Sequence, residues 1–170
     1  MAGRTLLRPV GARALLLATL VAPSSTSSEA RAQEVKRCEA VHRLLTEDMG
    51  MVAETSPDTV RDWRTNQIRL GCRITAAGST LSTRAGDKGE ALYARLLTMG
   101  WKRTPARPGT TKGPSLHFRL DKTDCFFSVY SGMMVGTQAE MRVSIAFKVR
   151  PGEERYNLLV QCVSATQAEP

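Results

Sequence analysis

The chain has 170 residues, of which 42% are hydrophobic and 24% are charged. This balance is typical of a soluble globular protein and excludes a disordered or fibrous chain, and the length predicts one domain. The formal charge is +8, but the first 32 residues hold four arginines and one acid, so residues 33–170 carry 20 basic and 15 acidic groups, a net charge of +5.

The N-terminus has the three regions of a secretory signal peptide. Basic residues precede a nine-residue apolar run at 14–22, and the small residues of a cleavage site follow at 30–32. A membrane-spanning helix needs roughly 20 apolar residues, so this run predicts a signal core and not an anchor. We therefore expect residues 1–32 to be removed on export, which gives a periplasmic or extracellular protein without a membrane span. The alternative is an organellar transit peptide, which is also rich in Arg and Ser and poor in acids.

Cysteine usage agrees with export. Cys38, Cys72, Cys125 and Cys162 are even in number and contain no CxxC spacing, which favours two disulfides over a zinc site. Four cysteines allow three connectivities. We favour Cys38–Cys72 with Cys125–Cys162, because both loops are local and neither crosses the other.

The predicted elements begin with a helix over 33–55, where apolar residues recur at intervals of three and four. The Met-Gly-Met run at 49–51 ends or bends this helix, and Ser-Pro-Asp at 56–58 predicts a turn. From Ile68 to Ala76 apolar residues alternate with polar ones, which predicts a half-buried strand.

Helical spacing returns over 89–100. Gly100 stands where a left-handed C-terminal cap is expected, and Trp101 can fold back onto the last turn. Residues 102–114 contain three prolines and two glycines, which predicts a loop.

The C-terminal half predicts two hairpins. The first joins alternating residues 116–120 to 125–130 through an Asp-rich turn. In the second, 141–149 alternate cleanly and turn through Pro-Gly into a last strand at 156–162.

This order of elements predicts the α+β class, with an antiparallel sheet of about five strands and one or two helices packed on one face. Residues 33–165 form the single domain, and 166–170 form a disordered tail.

Several short motifs carry a resemblance. Leu-Gly-Cys-Arg at 70–73, a helix that ends at Gly100-Trp101 and Val-Gln-Cys at 160–162 resemble a group of small secreted bacterial proteins of unassigned function, over about residues 60–163. The Gly-Trp helix followed by a meander also resembles the helix-grip domains of envelope lipoproteins. The resemblance implies export and brings no activity.

Catalytic motifs are absent from the sequence. It has no GxSxG, HExxH, SxxK, GxGxxG or P-loop pattern, and its only histidines are His42 and His117. Cys38 and His42 share a helical face, but a disulfide sulfur neither attacks nor ligates well. His117 lies on the polar side of its strand and is expected to be exposed. We therefore expect no catalytic residue, no metal and no cofactor.

Charge is the feature that indicates a function. Residues 91–120 contain six cations and no acid. The candidate binding residues are Trp101, Lys102, Arg103, Arg107 and Lys112, a basic loop that can attract an anionic partner. The alternative is a solvated loop whose charge keeps the protein soluble.

The sequence thus predicts an exported non-catalytic binding protein of the bacterial envelope. Its partner is an anionic envelope polymer or an acidic protein, and the scarcity of aromatic residues, nine in all, argues against nucleic acid. The alternatives are an inhibitor or accessory factor of a secreted enzyme and an unrecognised small hydrolase.

Overall fold

The computed structural model describes residues 26–81, 85–104, 116–130 and 136–165, with side chains described from 32 in the first segment and from 89 in the second. Most of the expected signal peptide and all of the expected tail at 166–170 lie outside these residues. Position 32 falls within the first helix, and cleavage there stays a prediction.

Helices and strands alternate irregularly along the described chain. In order they are α1 (Thr26–Arg37), α2 (Glu39–Arg43), a π-helical turn (Leu44–Asp48), β1 (Val52–Arg61), β2 (Ile68–Thr80), α3 (Ala85–Thr98), β3 (Lys102–Arg103), β4 (Leu116–Leu120), β5 (Thr123–Tyr130), α4 (Gln138–Ala146) and β6 (Glu154–Ser164).

The strands form one antiparallel sheet in the order β1-β2-β6-β5-β4-β3. The predicted α+β class is therefore confirmed. The sheet has six strands where about five were expected, and four α-helices accompany it in the described residues instead of one or two.

One face of the sheet packs against the N-terminal helices and α3. Alternate residues of β2, β4, β5 and β6 point to this side, and Val41, Leu44 and Leu45 meet them from the N-terminal helical segment. Leu92 and Leu96 contribute from α3. Within the described residues this cluster is the main hydrophobic core, and Val60 and Val163 are buried on the opposite side of the sheet.

The end of α3 follows its sequence closely. Gly100 has a φ of +84°, and the N–H groups of Gly100 and Trp101 donate to the carbonyls of Leu97 and Leu96 at 3.0 and 3.1 Å. This is a Schellman motif, which turns the chain so that Trp101 enters the core, where it is 2% exposed.

The prediction of a helix over 33–55 was wrong in its last turn, and β1 was missed. The helical segment ends at Asp48, and Val52–Arg61 forms an edge strand. Pro57 led to the expectation of a turn, but a proline is tolerated on an edge strand because its missing N–H faces away from the sheet.

The predicted strand at 141–149 was also wrong, because Gln138–Ala146 is helix α4. Thr137 accepts a hydrogen bond from the Glu140 N–H at 3.2 Å, and the Glu140 carboxylate accepts one from the Thr137 N–H at 2.9 Å. This capping box starts the helix at Gln138, and its sequence signature, Thr-x-x-Glu, is visible in the chain. The alternating apolar residues that suggested a strand do not share one buried face, because Val143 is buried while Met141 and Ile145 are exposed.

Candidate ligand-binding face

The sheet surface opposite the core carries polar and aromatic side chains, and we call it the polar face. Register pairs place its members side by side, because directly opposed residues of antiparallel strands point to the same side. Its members are Asp58, Arg69, Arg73, His117, Arg119, Asp124, Phe126 and Gln161, with Asp62, Trp63 and Arg64 from the loop after β1.

Helix α4 packs on β1 and β2 at one end of the same surface. Ala139 and Val143 are its buried contacts, and Arg142 pairs with Glu54 of β1. The polar face is the part of the surface beyond this helix.

Asp124 is the most strongly paired acid of the polar face. Arg119 donates to both of its oxygens, at 2.5 and 2.6 Å, and Arg64 lies 3.5 Å away. Bidentate pairing fixes the guanidinium plane, and the hydrogen bonds to Asp124 raise the pKa of Arg119.

Two further Arg–Asp pairs continue from Asp124 towards β1, and we call these paired residues the row of ion pairs. Arg69 donates to Asp62 at 3.2 Å and to the Ser164 carbonyl at 2.8 Å. Arg73 donates to Asp58 at 2.9 Å, and the Gln161 amide donates to the same carboxylate oxygen at 3.3 Å. Burial alone would raise the pKa of Asp62, but the Arg64 N–H and the Arg69 side chain outweigh it, so the pKa of Asp62 is lowered.

Two of the three acids lie beneath the arginines that pair with them, while the third, Asp58, is 18% exposed. The side chains of Asp62 and Asp124 are each 3% exposed, whereas those of Arg64, Arg69, Arg73 and Arg119 are 23–27% exposed. The polar face therefore presents guanidinium groups outward and hides most of the balancing carboxylate. Four arginines face three aspartates, so the row also has one excess positive charge.

Three rings pack together next to this row. His117 lies 4.7 Å from Trp63 and 4.7 Å from Phe126, in both cases nearly stacked, and the rings of Trp63 and Phe126 are 6.2 Å apart. The rings position His117 beside Arg119 and Asp124, which come from the same hairpin.

Polar atoms without partners accompany these rings. Trp63 Nε1, His117 Nδ1 and Thr104 Oγ1 are buried and make no hydrogen bond, as is also true of Trp101 Nε1, Thr55 Oγ1 and Thr75 Oγ1 elsewhere in the described residues. Thr104 and His117 are 8% and 6% exposed, and the Thr104 N–H donates to the His117 carbonyl at 2.9 Å, which places the two residues on neighbouring backbones. A buried group without a partner is costly, so these atoms have unused capacity for a ligand oxygen or a water molecule.

The burial of His117 makes stability depend on pH. Burial, helped by the charge of Arg103 and opposed by Asp124, lowers its pKa below the ordinary 6.5. Unfolding then takes up a proton as the pH falls from about 6.5 towards the folded pKa, so stability is complete above this window and declines through it, by at most about 1.4 kcal/mol per pH unit. Thermal melts between pH 7.5 and 5 should show this decline in the wild type and a smaller one in His117→Asn. Equal slopes would contradict it, and His42→Asn is the control.

The predicted binding residues divide into three groups. Trp101 is buried in the core at 2% exposure, so a partner could reach it only if the indole were uncovered, and its assignment as a binding residue stays a prediction. The prediction of a loop from residue 102 was wrong for its first two residues, because Lys102 and Arg103 pair with β4 and form β3. Both are exposed, and Lys102 lies opposite Arg119 at the border of the polar face. Arg107 and Lys112 lie outside the described residues.

Two other expectations concerned the histidines. His117 was expected to be exposed and is buried, because the loop carrying Trp63 folds over the polar side of β4. His42 approaches the Ala53 carbonyl at 3.4 Å, and its neighbour Cys38 is in a disulfide. The polar face was missed by sequence reasoning, although the charged residues alternate along β2 and β4 in the printed sequence.

The structure contains Cys38–Cys72 and Cys125–Cys162, the pairing favoured from the sequence, and no free cysteine. Two disulfides indicate an oxidising compartment. Among the described helices, none has the length and apolar character needed to cross a membrane.

Comparison with known proteins gives no relative. No protein-family model, curated protein or solved structure matches this chain. The resemblance to small secreted bacterial proteins therefore stays a prediction, and the function has to be inferred from the polar face alone.

Proposed function

We propose that this chain is a non-catalytic exported binding protein that recognises an anionic envelope polymer through its polar face. The observation that carries the proposal is the layering of charge, with buried aspartates under arginines that are about one quarter exposed. Such guanidinium groups are already oriented, so an oxyanion binds them without ordering a flexible side chain.

The neighbouring groups support the same ligand chemistry. Phosphate, sulfate and carboxylate oxygens accept hydrogen bonds, and the indole N–H of Trp63 and the hydroxyl of Thr104 are donors without acceptors. Lys102 adds an exposed positive charge at the border of the face. Of the basic residues predicted from the sequence, Lys102 and Arg103 thus become an extension of the site, and the polar face is its centre.

Heparin, a sulfated polysaccharide, is a suitable probe. We expect the double variant Arg69→Gln/Arg73→Gln to bind immobilised heparin at least about tenfold more weakly than the wild type at low salt, since two charge-assisted contacts are lost. The measurement is the dissociation constant as a function of salt concentration, at a temperature where circular dichroism shows both proteins folded.

The matched control is Arg95→Gln/Arg142→Gln. It removes the same two charges from exposed arginines that also pair with acids, Asp48 and Glu54, but lie on α3 and α4. A general electrostatic effect would weaken heparin binding equally in both double variants, and this result would reject the polar face as the binding site. A loss confined to Lys102→Gln/Arg103→Gln would return the binding site to the basic loop.

A further inference from the structure

The two disulfides lie in one cluster of sulfur atoms. The Sγ atoms of Cys38, Cys72 and Cys162 are all within 4.8 Å of one another, and Cys125 is bonded to Cys162. All four cysteines are fully buried in the core. Sulfurs of different disulfides are therefore neighbours, with no other side chain needed to bring them together.

The strand register explains why they meet. Cys72, Cys162 and Cys125 are directly opposed residues on the adjacent strands β2, β6 and β5. They point to the same side of the sheet and form a row across it. Helix α2 begins just after Cys38, which adds the fourth sulfur from above the row.

The geometry of the row also admits a different bond. The Cα atoms of Cys125 and Cys162 are 4.1 Å apart, which is typical of a narrow, non-hydrogen-bonded pair. On its other side, Cys162 directly opposes Cys72 of β2. Narrow and wide pairs alternate across an antiparallel sheet, so this is a wide pair with Cα atoms about 5.5 Å apart, which is within the range of Cα–Cα distances found in disulfides. At Gly71 a Cβ would lie 2.2 Å from the Cys162 carbonyl oxygen, so the glycine allows β2 to approach β6 closely beside Cys72.

We propose that the four cysteines form a single thiol–disulfide exchange site, in which reduction of Cys38–Cys72 moves the remaining disulfide to Cys72–Cys162. Because Cys38 is fully buried, the first step needs a local opening of the N-terminal helical segment. A dithiol reductant then attacks Cys38 Sγ, breaks the bond to Cys72 and leaves through its own cyclic disulfide, so two electrons pass to the protein. The Cys72 thiolate then attacks Cys162 Sγ. The bond between Cys125 and Cys162 breaks, and Cys125 takes the electron pair and a proton.

The exchange would alter which parts of the chain are joined. The native bonds connect Cys38 at the N-terminal helices to β2, and β5 to β6. The exchanged form connects β2 directly to β6 and releases both Cys38 and Cys125 as thiols. The N-terminal helical segment would then lose its covalent link to the sheet, while β2 and β6 become joined and β5 and β6 are held by strand pairing alone.

Peptide mapping can identify the exchanged bond, because trypsin separates all four cysteines. They fall on the peptides 38–43, 70–73, 123–142 and 156–170. We would treat the wild type with limiting dithiothreitol, alkylate at low pH and analyse the species with one disulfide by mass spectrometry. The expected result is a peptide pair that joins Cys72 to Cys162, with Cys38 and Cys125 alkylated. Native pairs alone, or a Cys38–Cys162 bond, would overturn the proposal.

The variant Cys38→Ala gives a second measurement without a reductant. It leaves the Cys72 thiol beside Cys125–Cys162, and we expect both linkages of Cys162 within about tenfold of each other, since Cys72 and Cys125 both directly oppose Cys162 on adjacent strands. Cys38→Ala/Cys72→Ala is the matched control and should keep only the native bond. A fully alkylated Cys72 in the folded single variant would contradict exchange, and if that variant does not fold, partial reduction of the wild type decides.

Discussion

Replacing Trp101 by alanine is expected to lower the free energy of unfolding by about 3–5 kcal/mol, one of the two largest effects expected for this protein. The side chain is 2% exposed and meets Phe127 edge to face at 6.0 Å between ring centroids. Truncation would leave a cavity between α3 and the sheet, because the Schellman motif fixes the backbone and prevents collapse.

Urea denaturation of Trp101→Ala and of the adjacent surface variant Lys102→Ala measures this directly. Lys102 is exposed, and its replacement should change stability by no more than about 0.5 kcal/mol. A loss below 1 kcal/mol for Trp101→Ala, together with weaker heparin binding, would show that the indole contacts the ligand as the sequence suggested.

Removal of either disulfide is the second large effect. Cys38–Cys72 and Cys125–Cys162 join residues 34 and 37 positions apart. In the chain-entropy model, loops of this length restrict the unfolded chain by about 4 kcal/mol each. Since a typical domain is stable by about 5–15 kcal/mol, loss of one bond should bring unfolding close to physiological temperature.

The measurement compares Cys38→Ala/Cys72→Ala and Cys125→Ala/Cys162→Ala with the oxidised wild type by thermal and urea unfolding. Alanine is used because these positions are fully buried and a serine hydroxyl would have no partner there. Both double variants should unfold at clearly lower urea concentration. If either retained wild-type stability, that crosslink would have no part in holding the fold.

Local signals predicted the parts of the fold that depend on neighbours in sequence. The end of α3 at Gly100, the hairpin of β4 and β5 and the last strand all follow from residue spacing and turn residues. The disulfide pairing favoured from the sequence is also confirmed, and it rested on both loops being local and not crossing each other.

Elements that depend on their place in the sheet were not predictable in this way. β1 contains a proline and is recognisable as a strand only because it is an edge. The sequence of helix α4 alternates between apolar and polar residues, which predicts a strand. The same sequence contains a capping box, which predicts a helix, so its local signals conflict.

The polar face depends on strand order as well. Arg73 and Asp58 are 15 residues apart, and Arg69 and Ser164 are 95 apart, so only the finished sheet brings these groups together. The alternation of side chains along each strand showed that the arginines point away from the core. It could not show that Asp62 and Asp124 lie beneath them, nor that Trp63 covers His117.

Whether anions bind the polar face can be measured most directly with the indole N–H signals of the two tryptophans. Trp63 lies on the polar face and Trp101 lies in the core at the start of the basic loop, and both have a buried Nε1 without a partner, so the two signals differ only in their place in the fold. A heparin oligosaccharide would be titrated into ¹⁵N-labelled protein, with Trp63→Phe and Trp101→Phe assigning the two resonances. Binding at the polar face should shift the Trp63 signal and the Nε–H signals of Arg69 and Arg73 and leave Trp101 unchanged. Shifts of Trp101 with an unchanged Trp63, or no shift at low salt, would contradict it.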